Sequence, residues 1–366
     1  MFDPALPVSD EFVAAIARAI SDFLAGQRRV LAGIGLDAAP LADLAESFTA
    51  GGKRLRPAYC AWGWIAVAGV PEDPAALVRA AASLDVLHVS ALVHDDVMDA
   101  SDIRRGQPAA HRQFAELHTE QALRGDADAF GRGGAILLGD LLLVWSQEMF
   151  ANCGLPAEAI KRAMPVMASV LTEVTTGQFL DILAQARPAL DARTSPDEVM
   201  AQVRQVLEYK TARYTVIRPL QIGAALAGGS SEVLAALGRY GSAVGRAFQL
   251  RDDVLGVFGD AEVTGKPAGD DLREGKLTAL LAHALRLAGA DDASTLAGLA
   301  GRRDLTDAEV AQARRIIADS GALATVEAEI AEATASAVAG LTDAPITGEA
   351  REALTNLAHA SADRAA

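Results

Sequence analysis

The feature that most constrains the fold of this chain is a series of long segments with apolar residues at three- and four-residue spacing. Runs of β-branched residues in strict alternation are scarce, so the pattern predicts a nearly all-helical protein. Two helix starts can be placed. We expect Ser195 to cap one helix, with Glu198 completing a capping box. We expect Thr306 or Asp304 to cap another, which should stop near Gly321.

The length of 366 residues is compatible with one large helical domain over 1–366, with a core of about 45–340. No low-complexity linker or sequence repeat divides the chain. The glycine-rich stretch 125–134 is expected to be a loop between helices. The alanine-rich tail after about Thr342 is expected to fray.

Charge and cysteine usage narrow the class of protein. The net charge of −15 argues against a nucleic-acid or anionic-membrane partner. The two cysteines, Cys60 and Cys153, lie in apolar surroundings and suit the core of a protein in a reducing cytoplasm. The acidic N-terminus has no basic region before an apolar run, so no signal peptide is expected. The longest uncharged run, 57–71, is too short to span a bilayer, which takes about 20 residues.

The stretch ALVHDDVMDASDIRRG ends an apolar, helix-patterned segment in aspartates. If residues 83–99 form a helix, Asp95 and Asp99 share one face and Asp96 flanks them. Like charges at this spacing repel each other, and a bound Mg²⁺ would remove that penalty. Arg104 and Arg105 follow, and guanidinium groups suit phosphate oxygens. The alternative is an acidic helix end with solvated charges.

A second stretch, AFQLRDDVLGVFGDAEVTGKPAGDDLREGK, repeats the arrangement. An apolar helix again ends in paired aspartates, Asp252 and Asp253, and Lys266 and Lys276 follow. We expect the two acidic helix ends to face each other across one cavity. Such a pair is harder to explain as solvated surface than either stretch alone.

Two further basic elements point to an anionic substrate. In AGGKRLRP, two glycines let the backbone approach an anion, and Lys53, Arg54 and Arg56 add positive charge at a helix start. In LEYKTARYT, Lys210 interrupts an apolar helix. Carboxylates, a metal and these cations together indicate a polyphosphate substrate.

The chain resembles trans-isoprenyl diphosphate synthases of the polyprenyl synthetase family. The matching motifs occur in the family's order over roughly 50–276, and the last of them is similar to bacterial geranylgeranyl diphosphate synthases. They are GGKRLRP, LVHDDVMDASDIRRG, LLGD, GQFLD, KTA, FQLRDD and VTGKPAGDDLREGK.

The resemblance implies an all-α isoprenoid synthase fold, with helices around a deep central cavity, usually as a homodimer. It implies several Mg²⁺ ions and two substrates, isopentenyl diphosphate and an allylic diphosphate of the dimethylallyl, geranyl or farnesyl type. The implied metal ligands are Asp95, Asp96, Asp99, Asp252 and Asp253, and the implied catalytic residues are Asp95, Asp96, Asp99, Asp252 and Lys210. The implied allylic diphosphate ligands are Arg104, Lys210, Thr211, Gln249, Lys266 and, near them, Lys276. The implied isopentenyl diphosphate ligands are Lys53, Arg56, His88 and Arg105.

One position departs from the family pattern. The second motif reads DDVLG where the family usually has DDxxD, so Gly256 replaces the last aspartate. We expect the metal site to survive on Asp252 and Asp253. Two acids in the following loop, Asp270 and Asp271, are candidates to assist.

The helix before Asp95 is expected to set the product length. A prenyl tail growing toward its N-terminus passes one turn for each 5.4 Å or so. Ser90 and Ala91, one turn back, are small, whereas a bulky aromatic here tends to stop growth at fifteen carbons in the family. The next turn offers Leu87 and Leu84 as a floor. This favours a geranylgeranyl product of twenty carbons, with farnesyl and longer products left open.

Three other classes remain as alternatives. A class I terpene cyclase shares the fold and one Asp motif, but would not need GGKRLRP for a second diphosphate. A non-catalytic subunit of a heteromeric synthase tends to lose the Asp motifs, which are largely intact here. A helical scaffold protein would bind no diphosphate with Mg²⁺.

Overall fold

The computed structural model describes residues 1–186, 196–259 and 269–363, and these are helical almost throughout. The backbone forms two compact units, which are described separately. Unit 1 comprises 1–164, 219–230 and 346–353, and unit 2 comprises 165–218, 231–345 and 354–366. The prediction of a single domain over 1–366 stays a prediction.

Unit 1 is built mainly from the N-terminal helices. Its elements are α1 (Asp10–Ile34), a 3₁₀ turn (Leu36–Ala38), α2 (Ala39–Thr49), α3 (Leu55–Ala68), α4 (Ala75–Met98), strands β1 (Ile103–Arg104) and β2 (Gln107–Pro108), α5 (Ala110–Glu120) and α6 (Ala127–Ala151). The first residues of α7 (Ala157–Ala186) and most of α9 (Arg218–Leu226) also belong to it.

The packing of unit 1 explains why α4 carries so many apolar residues. This helix contacts α1, α3 and α6, so most of its circumference is buried, including Leu84, Val86 and Leu87. After α4 the chain forms the short antiparallel pair β1–β2, in which Arg104 lies opposite Gln107. The hairpin turns the chain back beside the end of α4.

Unit 2 has its own hydrophobic core. Its elements are the rest of α7, then α8 (Pro196–Val206), a π-helix (Leu207–Ile217), α10 (Ser231–Phe258), α11 (Asp270–Glu274), α12 (Ala279–Leu287), α13 (Ala290–Leu299), α14 (Asp307–Asp319), α15 (Ala322–Leu341) and the end of α16 (Gly348–Ala362). α10 packs against the π-helix and α15 and buries Leu250, Val254 and Val257 in this core.

The prediction of a loop at 125–134 is wrong. Helix α6 begins at Ala127, and the Asp126 side chain caps it by accepting from the amide of Ala129. The glycines serve helix packing instead. A Cβ at Gly131 would overlap the His111 carbonyl oxygen, and one at Gly134 would lie 2.7 Å from the ring of Phe114. These glycines therefore let α5 lie directly on α6.

Most of the C-terminal tail is helical, against the expectation that it frays. Residues Gly348–Ala362 form α16, in which Leu354 and Leu357 are buried. The Tyr240 hydroxyl donates to the Leu354 carbonyl oxygen over 2.7 Å. The small residues of this segment are packing positions, so its alanine content was misleading.

The helix cap predicted near residue 306 is confirmed. Thr306 and Glu309 form a reciprocal capping box, and α14 ends at Asp319, close to the predicted stop at Gly321. The cap predicted at Ser195 lies outside the described residues.

Among the described residues, two helices are long and apolar enough to cross a membrane by length and composition, α4 and α6. In α4 the apolar window is 72% buried, as expected of a core helix, whereas in α6 it is 44% buried. α6 keeps Ile136, Leu137 and Val144 exposed.

Candidate active site

The first acidic cluster lies at the end of α4 in unit 1. Asp95 and Asp96 occupy its last turn, and Asp99 is the residue at which the helix ends. Arg104 of β1 donates from Nε to Oδ1 of Asp96 over 2.8 Å, with a second bond from Nη2 to the same oxygen. Its Nη2 also lies 3.9 Å from Oδ2 of Asp95. The hairpin thus brings an arginine onto the aspartates, as their sequence proximity suggested.

This ion pair largely neutralises Asp96. Burial works to lower the pKa of Arg104, but the hydrogen bond and charge of Asp96 outweigh it and raise that pKa. Asp96 is almost fully buried, whereas Asp95 and Asp99 are partly exposed. Of the three carboxylates, Asp95 and Asp99 are therefore the more accessible to a cation from solvent.

A cationic cluster in the same unit is built on the GGKR loop before α3. Arg105 donates from Nη1 to the Gly51 carbonyl oxygen over 3.0 Å. Gly52 has a φ of 123°, and a Cβ there would lie 3.2 Å from Nη2 of Arg105. Both requirements favour glycine. Lys53 follows at an exposed position, and Arg56 lies half-buried in the first turn of α3.

A buried ion pair holds this loop to α4. Arg54, with a φ of 52°, donates to Asp85 of α4 and, over 2.8 Å, to the Thr49 carbonyl oxygen. Both members of the pair are at least 96% shielded from solvent, with exposures of 2% and 4%. Burial raises the pKa of Asp85, and the charge of Arg54 opposes that shift. The pair fixes the direction in which the neighbouring basic side chains leave the loop.

His88 lies on α4 among these arginines. Burial, followed by the charges of Arg56 and Arg105, holds the pKa of His88 well below its usual range. The imidazole is therefore neutral at pH 7 and can donate one hydrogen bond without adding charge. Its position on α4, two turns before Asp95, agrees with the sequence expectation.

The second acidic cluster lies near the end of α10 in unit 2. Asp252 is half-buried and Asp253 is buried. Asp253 accepts from Nε2 of Gln249 over 2.7 Å and from the amide of Ala279 over 3.3 Å. Burial raises the pKa of Asp253 to about 7, although the Lys276 ammonium works to lower it. The charge of Asp271 adds to the upward shift.

The π-helix places two of the predicted diphosphate ligands. Lys210 donates from Nζ to Oδ2 of Asp181 over 2.5 Å, and the Thr211 hydroxyl donates to Oε1 of Gln249 over 2.6 Å. A π-helix is rare and is frequent at functional sites, because its widened turn redirects side chains. Gln249 thereby connects Thr211 to Asp253 in a continuous hydrogen-bonded chain.

The donor groups fit Mg²⁺. Among the described residues, no three His, Cys, Asp or Glu side chains form a ready-made metal cage. Mg²⁺ does not require one, since it usually binds one or two carboxylates together with water and substrate phosphates. The buried Asp253, held next to the charge of Asp271, is an arrangement that a bound cation would relieve.

The family model described as "Polyprenyl synthetase" matches residues 39–317, more than three quarters of the chain. The chain belongs to the polyprenyl synthetase family. This family is metal-dependent, and its members are soluble enzymes. The chain is accordingly a trans-prenyltransferase that makes prenyl diphosphates.

Solved structures and relatives agree with this family. A crystal structure of geranylgeranyl pyrophosphate synthase from Corynebacterium glutamicum, complexed with isoprenyl diphosphate and magnesium, is 39% identical, has a TM-score of 0.91 and covers 97% of this chain and 99% of its own. The all-α fold predicted from the family resemblance is confirmed.

Curated relatives cover less of the chain. A short chain isoprenyl diphosphate synthase from Methanothermobacter thermautotrophicus is 35% identical over 70% of both chains. A geranylfarnesyl diphosphate synthase from Aeropyrum pernix is 34% identical over 75% of this chain and 78% of its own. Other relatives of this family are named for farnesyl and nonaprenyl products, so family membership leaves the product length open.

Two contacts in the polyprenyl synthetase site were not anticipated. Asp85 is a carboxylate inside the apolar run SLDVLHVS, three residues before His88, and that position in a buried helix is the signal that could have revealed it. Asp181 is the last residue of GQFLD, a motif quoted for the family without a role for its aspartate. Lys266 lies outside the described residues, and the prediction that the two acidic clusters face one cavity stays a prediction.

The four residues that were predicted to set the product length differ in burial and in their contacts. Ser90 is buried, and its hydroxyl donates to the Gly139 carbonyl oxygen of α6 over 2.7 Å. Ala91 is half-buried, whereas Leu87 and Leu84 are buried. Ser90 therefore serves the α4–α6 contact, and Ala91 is the better candidate for a wall beside a growing chain.

Proposed function

We propose that this prenyltransferase condenses isopentenyl diphosphate with an allylic diphosphate in the presence of Mg²⁺, with geranylgeranyl diphosphate as its main product. The observation that carries the proposal is the cationic cluster of the GGKR loop and Arg105, which adds to Arg104, the arginine bonded to Asp96 at the end of α4. Two diphosphate groups require cations in addition to those that neutralise the aspartates.

The isopentenyl diphosphate is assigned to this cationic cluster. Lys53, Arg56 and Arg105 would bind its phosphate oxygens, and the neutral imidazole of His88 would donate one hydrogen bond. The buried pair of Arg54 and Asp85 keeps the loop in place, so little order must be gained when the substrate binds.

The allylic diphosphate is assigned to the remaining basic and polar groups. Its proposed ligands are those that the family resemblance implies, Arg104, Lys210, Thr211, Gln249, Lys266 and Lys276. Asp181 accepts a hydrogen bond from Lys210, so the ammonium is already oriented before substrate binds. Asp95, Asp96, Asp99, Asp252 and Asp253 are the proposed metal ligands.

The reaction needs no side-chain nucleophile. Bound Mg²⁺ would provide Lewis acidity that stabilises negative charge on the departing diphosphate. Cations of the chain stabilise the same charge. The bond between C1 and oxygen breaks, the double bond of isopentenyl diphosphate attacks C1, and the proton that is then lost passes to the departing diphosphate.

The twenty-carbon product is supported by the small side chain of Ala91 and by the product of the similar Corynebacterium enzyme. Ala91→Phe should put a ring beside the growing chain and shift the main product to fifteen carbons, as product mass spectrometry would reveal. Ser90→Phe is not an equivalent test, because it removes a buried hydrogen bond between α4 and α6. Unchanged products from a folded Ala91→Phe would contradict this assignment.

A homodimer is proposed from the outer face of α6. Phe130, Ile136, Leu137 and Val144 on this helix are 41–61% exposed, which is an apolar stripe suited to a second copy of the chain. Leu137→Asp should lower the mass found by light scattering to that of a monomer. A cytoplasmic location is proposed because Cys60 and Cys153 are both buried and free.

The isopentenyl subsite can be tested by kinetics. Arg105→Gln should raise KM for isopentenyl diphosphate by about 10-fold or more, the loss expected for a hydrogen bond to a charged group. KM for the allylic substrate should change much less. Arg112→Gln is the matched control, because Arg112 is an exposed residue of α5 paired with Asp102 and Asp128. If Arg105→Gln raised KM for both substrates equally, the assignment of Arg105 to the isopentenyl diphosphate site would be contradicted.

A further inference from the structure

One side of α7 contacts the π-helix of unit 2 at three levels. Glu173, Gly177 and Asp181 follow one another at four-residue intervals on α7, so they lie on the same side of that helix. At one end, Asp181 accepts from Nζ of Lys210 over 2.5 Å. In the middle, a Cβ at Gly177 would lie 2.5 Å from the backbone nitrogen of Lys210 and 2.6 Å from the carbonyl carbon of Tyr209. The two backbones are therefore in close contact at Lys210.

At the other end of this side, Glu173 pairs with two arginines. Its Oε1 accepts from Nη1 of Arg213 over 2.7 Å, and its Oε2 accepts from Nε of Arg218 over 2.8 Å. The Glu173 side chain is only 14% exposed. Burial works to raise the pKa of Glu173, but the hydrogen bonds from Arg218 and Arg213 outweigh it and hold that pKa below its usual range. The carboxylate is therefore ionised at pH 7 and joins α7 to the end of the π-helix.

The two arginines are balanced by carboxylates of the chain. Arg213 also donates from Nε to Oε1 of Glu208 over 2.8 Å, and its guanidinium lies 4.8 Å from the centre of the Tyr209 ring. Two cations thus meet two anions, Glu173 and Glu208. A group with balanced charge is poorly suited to bind a diphosphate itself, but it can fix the orientation of the helix that carries it.

The π-helix needs such directional contacts because glycines line it on a second side. A Cβ at Gly245 of α10 would overlap Cβ of Ala212, and one at Gly241 would lie 2.9 Å from Cγ1 of Ile217. The wide turn of a π-helix requires this space. Glycines admit a backbone but provide no side chain that fixes its rotation. The polar contacts of α7 with the π-helix therefore help to decide how its side chains are directed.

We propose that Glu173 is a positioning residue for the allylic diphosphate. By binding Arg213 and Arg218 it fixes the rotation of the π-helix against Gly177, and this rotation directs the ammonium of Lys210 toward the diphosphate. The proposal rests on the function proposed above for Lys210. It deepens that function by assigning the orientation of Lys210 to a carboxylate that does not contact the substrate.

A competing role for Glu173 is to stabilise unit 2 alone. A purely structural contact would lower the unfolding temperature and the fraction of active enzyme, and would leave KM for each substrate unchanged. A positioning residue instead raises KM for the substrate whose ligand it orients. The two roles therefore differ in how KM changes for the two diphosphates.

The first measurement is steady-state kinetics with geranyl diphosphate and isopentenyl diphosphate. Glu173→Gln retains the size of the side chain and removes its charge. It should raise KM for geranyl diphosphate by about 10-fold, as for loss of the interaction between coupled residues, and change KM for isopentenyl diphosphate by less than about twofold. Arg213→Gln leaves Glu173 paired with Arg218 and should give a smaller increase of the same kind. Glu332→Gln is the matched control, because Glu332 is an exposed glutamate 3.8 Å from Arg246.

The second measurement tests whether Glu173 acts through Lys210. The Kd of geranyl diphosphate is measured by isothermal titration with Mg²⁺ and without isopentenyl diphosphate, so inactive variants can be compared. Glu173→Gln should weaken binding in the wild-type background. In the Lys210→Ala background it should change Kd by less than about twofold, because the group that it orients is absent.

A glycine variant tests the contact between the helices without a change of charge. Gly177→Ala should displace the π-helix at Lys210 and weaken geranyl diphosphate binding. Gly340→Ala in α15 is the control, because an added Cβ there meets nothing within 4 Å, and it should match wild type. Circular dichroism verifies that each variant is folded.

The outcomes separate this proposal from the proposed function. If wild type condenses the two substrates and folded Glu173→Gln retains the wild-type KM for geranyl diphosphate, the positioning role is overturned and the function stands. Equal increases in KM for both substrates also overturn it, as does a full effect of Glu173→Gln in the Lys210→Ala background. If wild type gives no condensation product, the proposed function fails together with the role of Glu173.

Discussion

The two acidic clusters, one in each unit, balance their charge differently. At the first cluster, Arg104 is bonded to Asp96, and Arg54 is bonded to the nearby Asp85. At the second, Asp253 is held by an amide side chain and a backbone amide, and Asp271 adds a second buried carboxylate. At the first cluster the charge of Asp96 is balanced by Arg104, whereas at the second Asp253 has an amide side chain and a backbone amide as donors, and Lys276 lies 3.9 Å from Asp271.

The comparison suggests that the two acidic clusters have different functions although their motifs are similar. Arginines at the first cluster can exchange a carboxylate for a phosphate oxygen when a diphosphate binds, because both are anionic oxygen acceptors. At the second cluster, burial raises the pKa of Asp253 to about 7, although the Lys276 ammonium works to lower it.

The largest effect on stability should come from breaking the buried pair of the first unit. Arg54→Met leaves Asp85 buried without its arginine and should lower the free energy of unfolding by about 3–5 kcal/mol. Urea denaturation followed by circular dichroism measures it. Arg28→Met, which breaks the exposed contacts with Asp43 and Glu46, is the control and should cost far less.

A double variant sharpens this prediction. Arg54→Met with Asp85→Leu removes both charges and should recover much of the stability, as replacement of buried pairs by apolar residues often does. If Arg54→Met costs no more than Arg28→Met, the loop is not organised by the buried pair.

The next effect concerns turnover. Asp95→Ala and Asp252→Ala should each reduce kcat by at least about 10²-fold, as for the loss of one electrostatic contact to a transition state. Activity of the wild type should vanish in excess EDTA and return with Mg²⁺. A near-normal rate in either variant would show that its cluster is not required for the chemistry.

The sequence predicted a large part of this arrangement and missed the rest for physical reasons. The end of α4 could be located because helix periodicity stops at the aspartates, and Thr306 with Glu309 is a local capping signal. The expectation that the second helix also ends at its aspartates is wrong, since α10 continues to Phe258 and buries Val254 and Val257. Local patterns carry such information. The contact of Arg54 with Asp85 joins residues 31 positions apart and depends on how α3 packs against α4.

Glycine was the residue most often misread. The glycines of 125–134 suggested a loop, but Gly131 and Gly134 admit a neighbouring helix. Gly256 was interpreted as a missing metal ligand, but the absence of a side chain there leaves space for the carboxylate of Asp271. In each case the reason lies in a partner distant in sequence, which a single sequence does not reveal.

A smaller effect should appear in the pH dependence of stability. In the metal-free chain the folded state keeps the proton of Asp253 up to about pH 7, whereas an unfolded aspartate releases it near 3.8. The stabilisation is present below the unfolded pKa and is lost as the pH rises through 7. Asp253→Asn removes this dependence. The unfolding temperature of the variant minus that of wild type, both measured in EDTA, should therefore increase between pH 5 and pH 8.

Asp292→Asn provides the comparison for this measurement, because the same charge change on an exposed residue should leave the pH profile unaltered. A difference between Asp253→Asn and wild type that is the same at both pH values would mean that folding does not change the protonation of Asp253 in this range.

The most direct test of the proposed function is product analysis by mass spectrometry, using purified chain, Mg²⁺, labelled isopentenyl diphosphate and each of the dimethylallyl, geranyl and farnesyl primers. We expect a labelled prenyl diphosphate of twenty carbons as the main product, and none when EDTA is in excess. A cyclised hydrocarbon, or no labelled product from any primer, would contradict a condensing enzyme. A fifteen-carbon or longer main product would contradict the chain-length assignment alone.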